Sequence, residues 1–200
     1  MVSRQDAVLE IARRYDYDAA HAHQVECLAG TLFMETEKLH RLGREDRKLL
    51  EYAAILHDIG YYLTSRSHHK HALQLIMMEP LIPFTRSEKL IIANLTRYHR
   101  KSQPSSDHAP FAILTKMEQR RVELMAPILR IADALDKSHS SKVVELACHV
   151  APEHILIEIS ADQDATAEIQ AVEARGDMFR LVYSRSITVT QTQSSIKVEE

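Results

Sequence analysis

Histidine and aspartate recur in this sequence at places where helices should begin or end. There are 12 histidines among 200 residues, and histidine is both the commonest protein metal ligand and the side chain that titrates nearest neutral pH. His21, His23, His57, His68, His69, His71 and His99 each lie in or beside a segment with helical spacing. The adjacent pair His57-Asp58 closes the most apolar helical run in the chain, residues 49–56. A metal site needs neutral imidazole and carboxylate donors converging from a rigid, dry scaffold, and a helix end inside a bundle offers one. A lone His-Asp pair is more often a solvated helix end than a site. Two further residues strengthen the metal reading: His21 on an earlier helix, and Asp133 within Arg130-Ile131-Ala132-Asp133-Ala134-Leu135-Asp136. Asp133 interrupts an apolar helix face, where a buried carboxylate is costly unless a cation compensates it.

Positioning these residues requires helices, and the apolar spacing predicts them. Val8, Leu9, Ile11 and Ala12 mark a short amphipathic start. A longer helix follows with Asp18 as N-cap and Val25, Leu28, Ala29, Leu32 and Phe33 on one face. The run 49–56 leads into His57-Asp58-Ile59-Gly60, with Gly60 read as the helix end. Further helices are expected over 72–78, closed by Pro80 and Pro83, over 88–98, closed by the polar stretch 101–107, and over 118–137, kinked at Pro127. From about Ser141 the period changes to alternation. Residues 143–150, the turn Ala151-Pro152-Glu153, and Ile155, Ile157 and Ile159 predict a β-hairpin. Residues 165–182 read as helix broken at Gly176, 187–192 as a last strand, and 197–200 as a frayed tail. The expected fold class is therefore mainly α, with residues 1–140 a helical domain and 141–200 a small α+β (β-β-α-β) module.

Composition excludes several classes. Only 4 glycines and 6 prolines accompany a 45% hydrophobic content, which rules out collagen-like and disordered chains. With 25 Lys+Arg against 28 Asp+Glu the net charge is -3, so nothing draws the whole molecule to a nucleic-acid duplex or an anionic membrane. No segment has the apolar length of a membrane span, and MVSRQDAVLEIARRYDYD carries charges where a signal peptide needs its hydrophobic stretch; the expected compartment is the cytoplasm. Cys27 and Cys148 form no CxxC, so neither a disulfide framework nor a zinc ribbon is expected.

The pattern His21, His57-Asp58, Asp133 resembles the HD-domain superfamily of metal-dependent phosphohydrolases. The strings YDYDAAHAHQVECLAGTLF, LLEYAAILHDIGYYLTSRSHHKHALQLI, EKLIIANLTRYHRKS and LMAPILR are similar to the C-terminal half of the exopolyphosphatase and guanosine pentaphosphate phosphatase family, an HD-like helical bundle followed by a small α+β domain. The resemblance covers essentially the whole chain. It also implies that the family's N-terminal actin-like domains, which carry polyphosphate hydrolysis, are missing here, so that active site is not expected to operate in this chain. The resemblance makes His21, His57, Asp58 and Asp133 the HD ligands. Two-metal members add a histidine at the start of the next helix and one at the end of the helix after it; His68 fits the first, with His69 and His71 as rivals, and His99 the second. An all-nitrogen-and-oxygen set bridged by Asp58 suits one or two divalent ions, iron or manganese first.

Arg66, Lys70, Arg97, Arg100, Lys101, Arg130 and Lys137 lie within a few residues of these ligands and are candidates for binding phosphate. Each alone also reads as part of a solvated helix face. Arg130, one turn before Asp133, is expected to face the same site and, with Asp58, to be catalytic. Gly60-Tyr61-Tyr62 follows the HD pair where many catalytic HD proteins carry a charge, and Tyr61 either donates to phosphate or packs. His23, His40 and His108 read as surface; His139 either touches the pocket or caps the long helix. Cys27 is expected to pack inside its helix, and the methionines to fill core. The function expected is metal-dependent hydrolysis of a small phosphorylated compound, a nucleotide or related phosphoester. The rivals are a non-catalytic regulatory module binding polyphosphate or a guanosine polyphosphate and, more weakly, a redox di-iron protein. A homodimer is compatible with either of the first two.

Overall fold

The computed structural model describes residues 3–80 and 83–193. The expected tail 197–200 lies outside them. The chain runs α1 (Arg4–Arg14), α2 (Ala19–Glu35), α3 (Glu37–His40), α4 (Arg44–Leu56), a 3-10 turn (Ile59–Tyr62), α5 (His68–Met78), α6 (Arg86–Tyr98), α7 (Ala109–Ala112) and α8 (Lys116–Ala134). It then continues through β1 (Val143–Val150), β2 (His154–Ala161), α9 (Thr166–Arg175), α10 (Asp177–Tyr183) and β3 (Ser186–Gln193). The protein is mainly α with a small α+β part at its C-terminal end.

Local sequence explains where the helices start. Asp18 accepts a hydrogen bond from His21 N–H and so caps α2 just ahead of its first chemically important residue. Reciprocal caps, Thr85 with Glu88 and Thr115 with Glu118, open α6 and α8. Pro127 sits inside α8 without ending it. The run 49–56 is buried because α4 crosses between α2 and α6. The helix does not end at Gly60, however; α4 stops at Leu56 and Gly60 falls within the 3-10 turn that follows. A Cβ at Gly60 would stand 1.9 Å from the His68 carbonyl oxygen and 2.7 Å from Ala72 N. Glycine is required there because two backbones touch, and that contact is what brings the HD pair alongside the start of α5.

The sheet has the order β1-β2-β3, with β1 and β2 antiparallel (Cys148 opposite Ile157) and β2 and β3 parallel (Ile157 opposite Val189). Ile155, Ile157 and Ile159 of β2 are buried, and they share one continuous apolar core with Leu28 and Leu32 of α2 and Ile128 and Ile131 of α8. The parallel connection passes through α9 and α10, with the expected break at Gly176, and α9 packs on α8.

Three expectations about minor residues are corrected. His40 is buried, because its Nε2 bonds the Phe33 carbonyl at 2.8 Å and its Nδ1 accepts from Leu42 N–H at 3.0 Å. Cys27 is exposed on α2. Of the methionines, Met125 and Met178 fill core, but Met34, Met78 and Met117 are exposed. Among the described residues no helix is long and apolar enough to cross a membrane.

Candidate metal centre

Six side chains from five elements meet at one point inside the bundle. His21 comes from the first turn of α2, His57 and Asp58 from the end of α4, His68 from the start of α5, His99 from the end of α6 and Asp133 from the last turn of α8. Asp58 lies in the middle. Its Oδ2 is 3.4 Å from His57 Nε2 and 3.8 Å from His21 Nε2, while its Oδ1 is 3.3 Å from His68 Nε2 and 3.5 Å from His99 Nε2. Asp133 Oδ1 completes the first half, 3.6 Å from His21 Nε2 and 3.8 Å from His57 Nε2. The arrangement thus forms two adjoining donor groups, His21–His57–Asp133 and His68–His99, with one oxygen of Asp58 turned to each.

The backbone determines which nitrogen faces inward. The Nδ1 atoms of His57, His68 and His99 stand 2.6, 3.1 and 2.6 Å from the carbonyl oxygens of Ala54, Ser65 and Thr96. A carbonyl only accepts, so each Nδ1 carries the proton and each Nε2 presents a bare lone pair. His21 does the same through Asp136 Oδ2 at 2.8 Å. Once freed of protons at Nε2, the four imidazoles turn lone pairs toward the two carboxylates, and His68 Nε2 lies only 3.3 Å from His99 Nε2. His21 Nε2, His57 Nε2 and Asp58 Oδ1 are buried and have no hydrogen-bond partner among the described residues. Buried acceptors left without donors are costly, and the group that relieves them all is a cation held by nitrogen and oxygen. The donor set fits a divalent first-row metal, and the Nδ1–H···O bonds are the outer contacts that orient such ligands.

Without an ion, a proton on His21 takes the place a cation would fill. Burial pulls His21 down, but the carboxylates of Asp133 and Asp136 outweigh it and raise the imidazole to about 9. Burial dominates at His99, which falls to about 3, and also holds His68 below its ordinary value despite Asp58. His21 hydrogen-bonds two of its acids, whereas His99 is wholly enclosed with His57 beside it and bonds none. Burial opposes charge on Asp58 and Asp133 too, yet the surrounding histidines keep Asp58 below the usual carboxylate range and, with Arg175, Asp133 well below it.

Arg175, at the end of α9, pairs with Asp133 Oδ2 through its Nη1. It also lines a cavity of about 270 Å³ with Arg100, Lys101, Arg130, Ala174 and Asp177. Four cations and one acid give this cavity, on the flank of the candidate metal centre, a positive lining. Arg100 and Lys101 stand where phosphate binding was expected. Arg130 is there as well, but its Nη2 donates to the Tyr98 and Ser102 carbonyls at 3.2 and 2.8 Å and its Nη1 to Asp177 at 3.2 Å, while its buried Nε–H has no partner among the described residues. Its guanidinium braces the cavity wall. Arg66, Lys70, Arg97 and Lys137 do not line the cavity. Burial holds His69 down at about 4, with Lys101, Lys70 and Arg97 adding to it. His69 is buried beside His68 without joining the donor groups, and His71 bonds Gln74. Tyr61 stacks on His68 with ring centres 4.2 Å apart.

Residues 3–174 match the family described as Ppx/GppA phosphatase, domain III. The chain belongs to this family. The match begins just ahead of α1 and ends at α9, one residue short of Arg175, so the whole helical bundle and the β-hairpin lie within the Ppx/GppA domain. Sequence reasoning missed two residues of this Ppx/GppA domain's site. Asp136 lies three positions after Asp133, a spacing that puts both on one helix face and could have revealed it. Arg175 lies 42 residues from its partner in a separate element and left no local signal.

Proposed function

We propose that the chain is an HD-type, metal-dependent phosphohydrolase acting on a small phosphorylated compound, a nucleotide or related phosphoester. The observation that carries this reading is the set of inward Nε2 lone pairs, each fixed by an Nδ1–H···O bond, around a central Asp58. In this reading His21, His57, Asp58, His68, His99 and Asp133 hold one or two divalent ions, iron or manganese first. Bound there, such ions supply Lewis acidity and a paired clamp for the attacking and leaving oxygens of phosphoryl transfer. The chain's own residues do the rest. Asp58 shares its oxygens between the two donor groups, Arg175 keeps Asp133 ionised and oriented, and Arg100 and Lys101 neutralise phosphate charge at the cavity wall. We assign metal binding to residues 1–140, with 141–200 as the part that delivers Arg175, and we place the protein in the cytoplasm, without nucleic-acid duplex or membrane partners.

One observation favours a second reading. Of the cavity's cations, Arg100 and Lys101 pair with no acid among the described residues and need no metal, which suits a regulatory module that binds polyphosphate or a guanosine polyphosphate. Metal analysis of the purified protein, paired with hydrolysis of nucleotides, guanosine polyphosphates, polyphosphate and a generic phosphoester, separates the two. Near-stoichiometric metal and turnover abolished in Asp58→Ala are expected for the enzyme. Anion affinity that survives metal removal and falls in Arg100→Ala, with no turnover after iron or manganese is restored, establishes the binding module instead.

A further inference from the structure

A fifth imidazole repeats the pattern of the four inward histidines. His139 lies flat on His21, ring centres 3.6 Å apart and planes 14° apart. Its Nδ1 is 3.0 Å from Asp18 Oδ2, which fixes the proton on Nδ1 and leaves Nε2 as a bare acceptor. One ring nitrogen of His139, one of His21 and a carboxylate oxygen of Asp58 all lie within 4.8 Å of one another. Unlike the other four, the His139 side chain is 42% exposed.

The connector that carries it is built to hold it there. His139 has φ 53° and Ser141 φ 49°, left-handed conformations that non-glycine residues adopt only when their surroundings impose them. Those surroundings are Asp136, whose Oδ1 accepts from Ser141 N–H at 2.8 Å, whose Oδ2 takes His21 Nδ1 and whose carbonyl accepts from His139 N–H at 2.9 Å. The residue that orients His21 therefore also fixes the loop that lays His139 upon it. Asp18, in turn, caps α2 through His21 N–H with one oxygen and holds His139 with the other. A surface histidine whose only task was to cap α8 would need none of this.

We propose that His139 is a seventh protein donor to the metal centre, an exposed ligand on the His21–Asp58 side that Asp18 holds in reach, that turns off the face of His21 to aim its Nε2 at an ion, and that incoming substrate can displace. The inference rests on the metal-centre reading above. Its test uses Co²⁺ alone as the probe on the full chain and the variant His139→Gly, chosen because φ 53° suits glycine and leaves the connector unstrained. Expected are visible absorption bands shifted from those of the wild type and loss of Co²⁺ to a chelator about tenfold faster, with added imidazole reversing both. Bands and loss rate equal to wild type overturn the proposal and leave the metal centre standing. Faster loss with unchanged bands and no response to imidazole assigns His139 a structural role and overturns it as well. Wild-type protein that takes up no Co²⁺ removes the metal centre, and this proposal with it.

Discussion

Asp133 is held from two sides, by Arg175 on Oδ2 and by His21 and His57 near Oδ1. Both Asp133 and the tip of Arg175 are largely enclosed, so removing one partner strands a charge rather than exposing it to water. We expect Arg175→Ala to destabilise the metal-free protein by about 3 kcal/mol and to recover part of that on loading with divalent metal, because the ion then takes over the task of compensating Asp133. Thermal denaturation of both proteins with and without Mn²⁺ reads this directly; an equal gap in the two conditions argues against a shared role. His40 offers a second test away from the site. Burial lowers its pKa below the ordinary 6.5, so the unfolded chain takes up a proton there before the folded one does. Stability is thus complete above pH 6.5 and is lost as pH falls from there toward the folded pKa. Urea denaturation between pH 7 and 5 should show a shallower fall for His40→Gln than for wild type.

At the scale of elements, Gly60 is the most constrained position. The 1.9 Å approach of a Cβ to the His68 carbonyl cannot be relieved by a side-chain movement, because both partners are backbone. Gly60→Ala should cost about 3 kcal/mol, the upper end of overpacking penalties, and should weaken metal uptake by separating His68 from Asp58; urea denaturation and Co²⁺ titration measure the two effects. How much of this was legible beforehand follows the range of the interactions. The longer helices of the bundle and both hairpin strands could be read from periodicity, since burial on one face writes itself into residue spacing, whereas α3 and α7, four residues each, are too short to show a period. Gly60 could be recognised as special but not for the right reason, since its partner is the backbone of another helix. The choice among His68, His69 and His71 needed the helix's rotation about its own axis, which three consecutive-turn histidines do not encode. Arg130 stands beside Arg175 on the cavity wall, yet its partners Tyr98, Ser102 and Asp177 come from segments that sequence spacing cannot bring together.

At the scale of the molecule, the α+β part covers the bundle rather than hanging from it. Ile155 and Ile157 share a core with Leu32, Ile128 and Ile131, and Tyr183 O–H donates to the Leu124 carbonyl at 2.5 Å. A chain truncated after residue 140 would expose that apolar face and lose Arg175 together; we expect it to aggregate on size-exclusion chromatography, and a monodisperse, metal-binding truncation would contradict this account. The distribution of the donors along the chain has a temporal consequence. From His21 to Asp133 they span most of the helical bundle, and long-range closures of this kind are costly until the intervening elements have packed. On the proposed metal-centre reading, an ion would be the last component to arrive. Nascent chains should fold first around a proton-filled cavity and wait, so that shortage of metal in a cell leaves a reserve of folded molecules ready for loading and not a pool of debris.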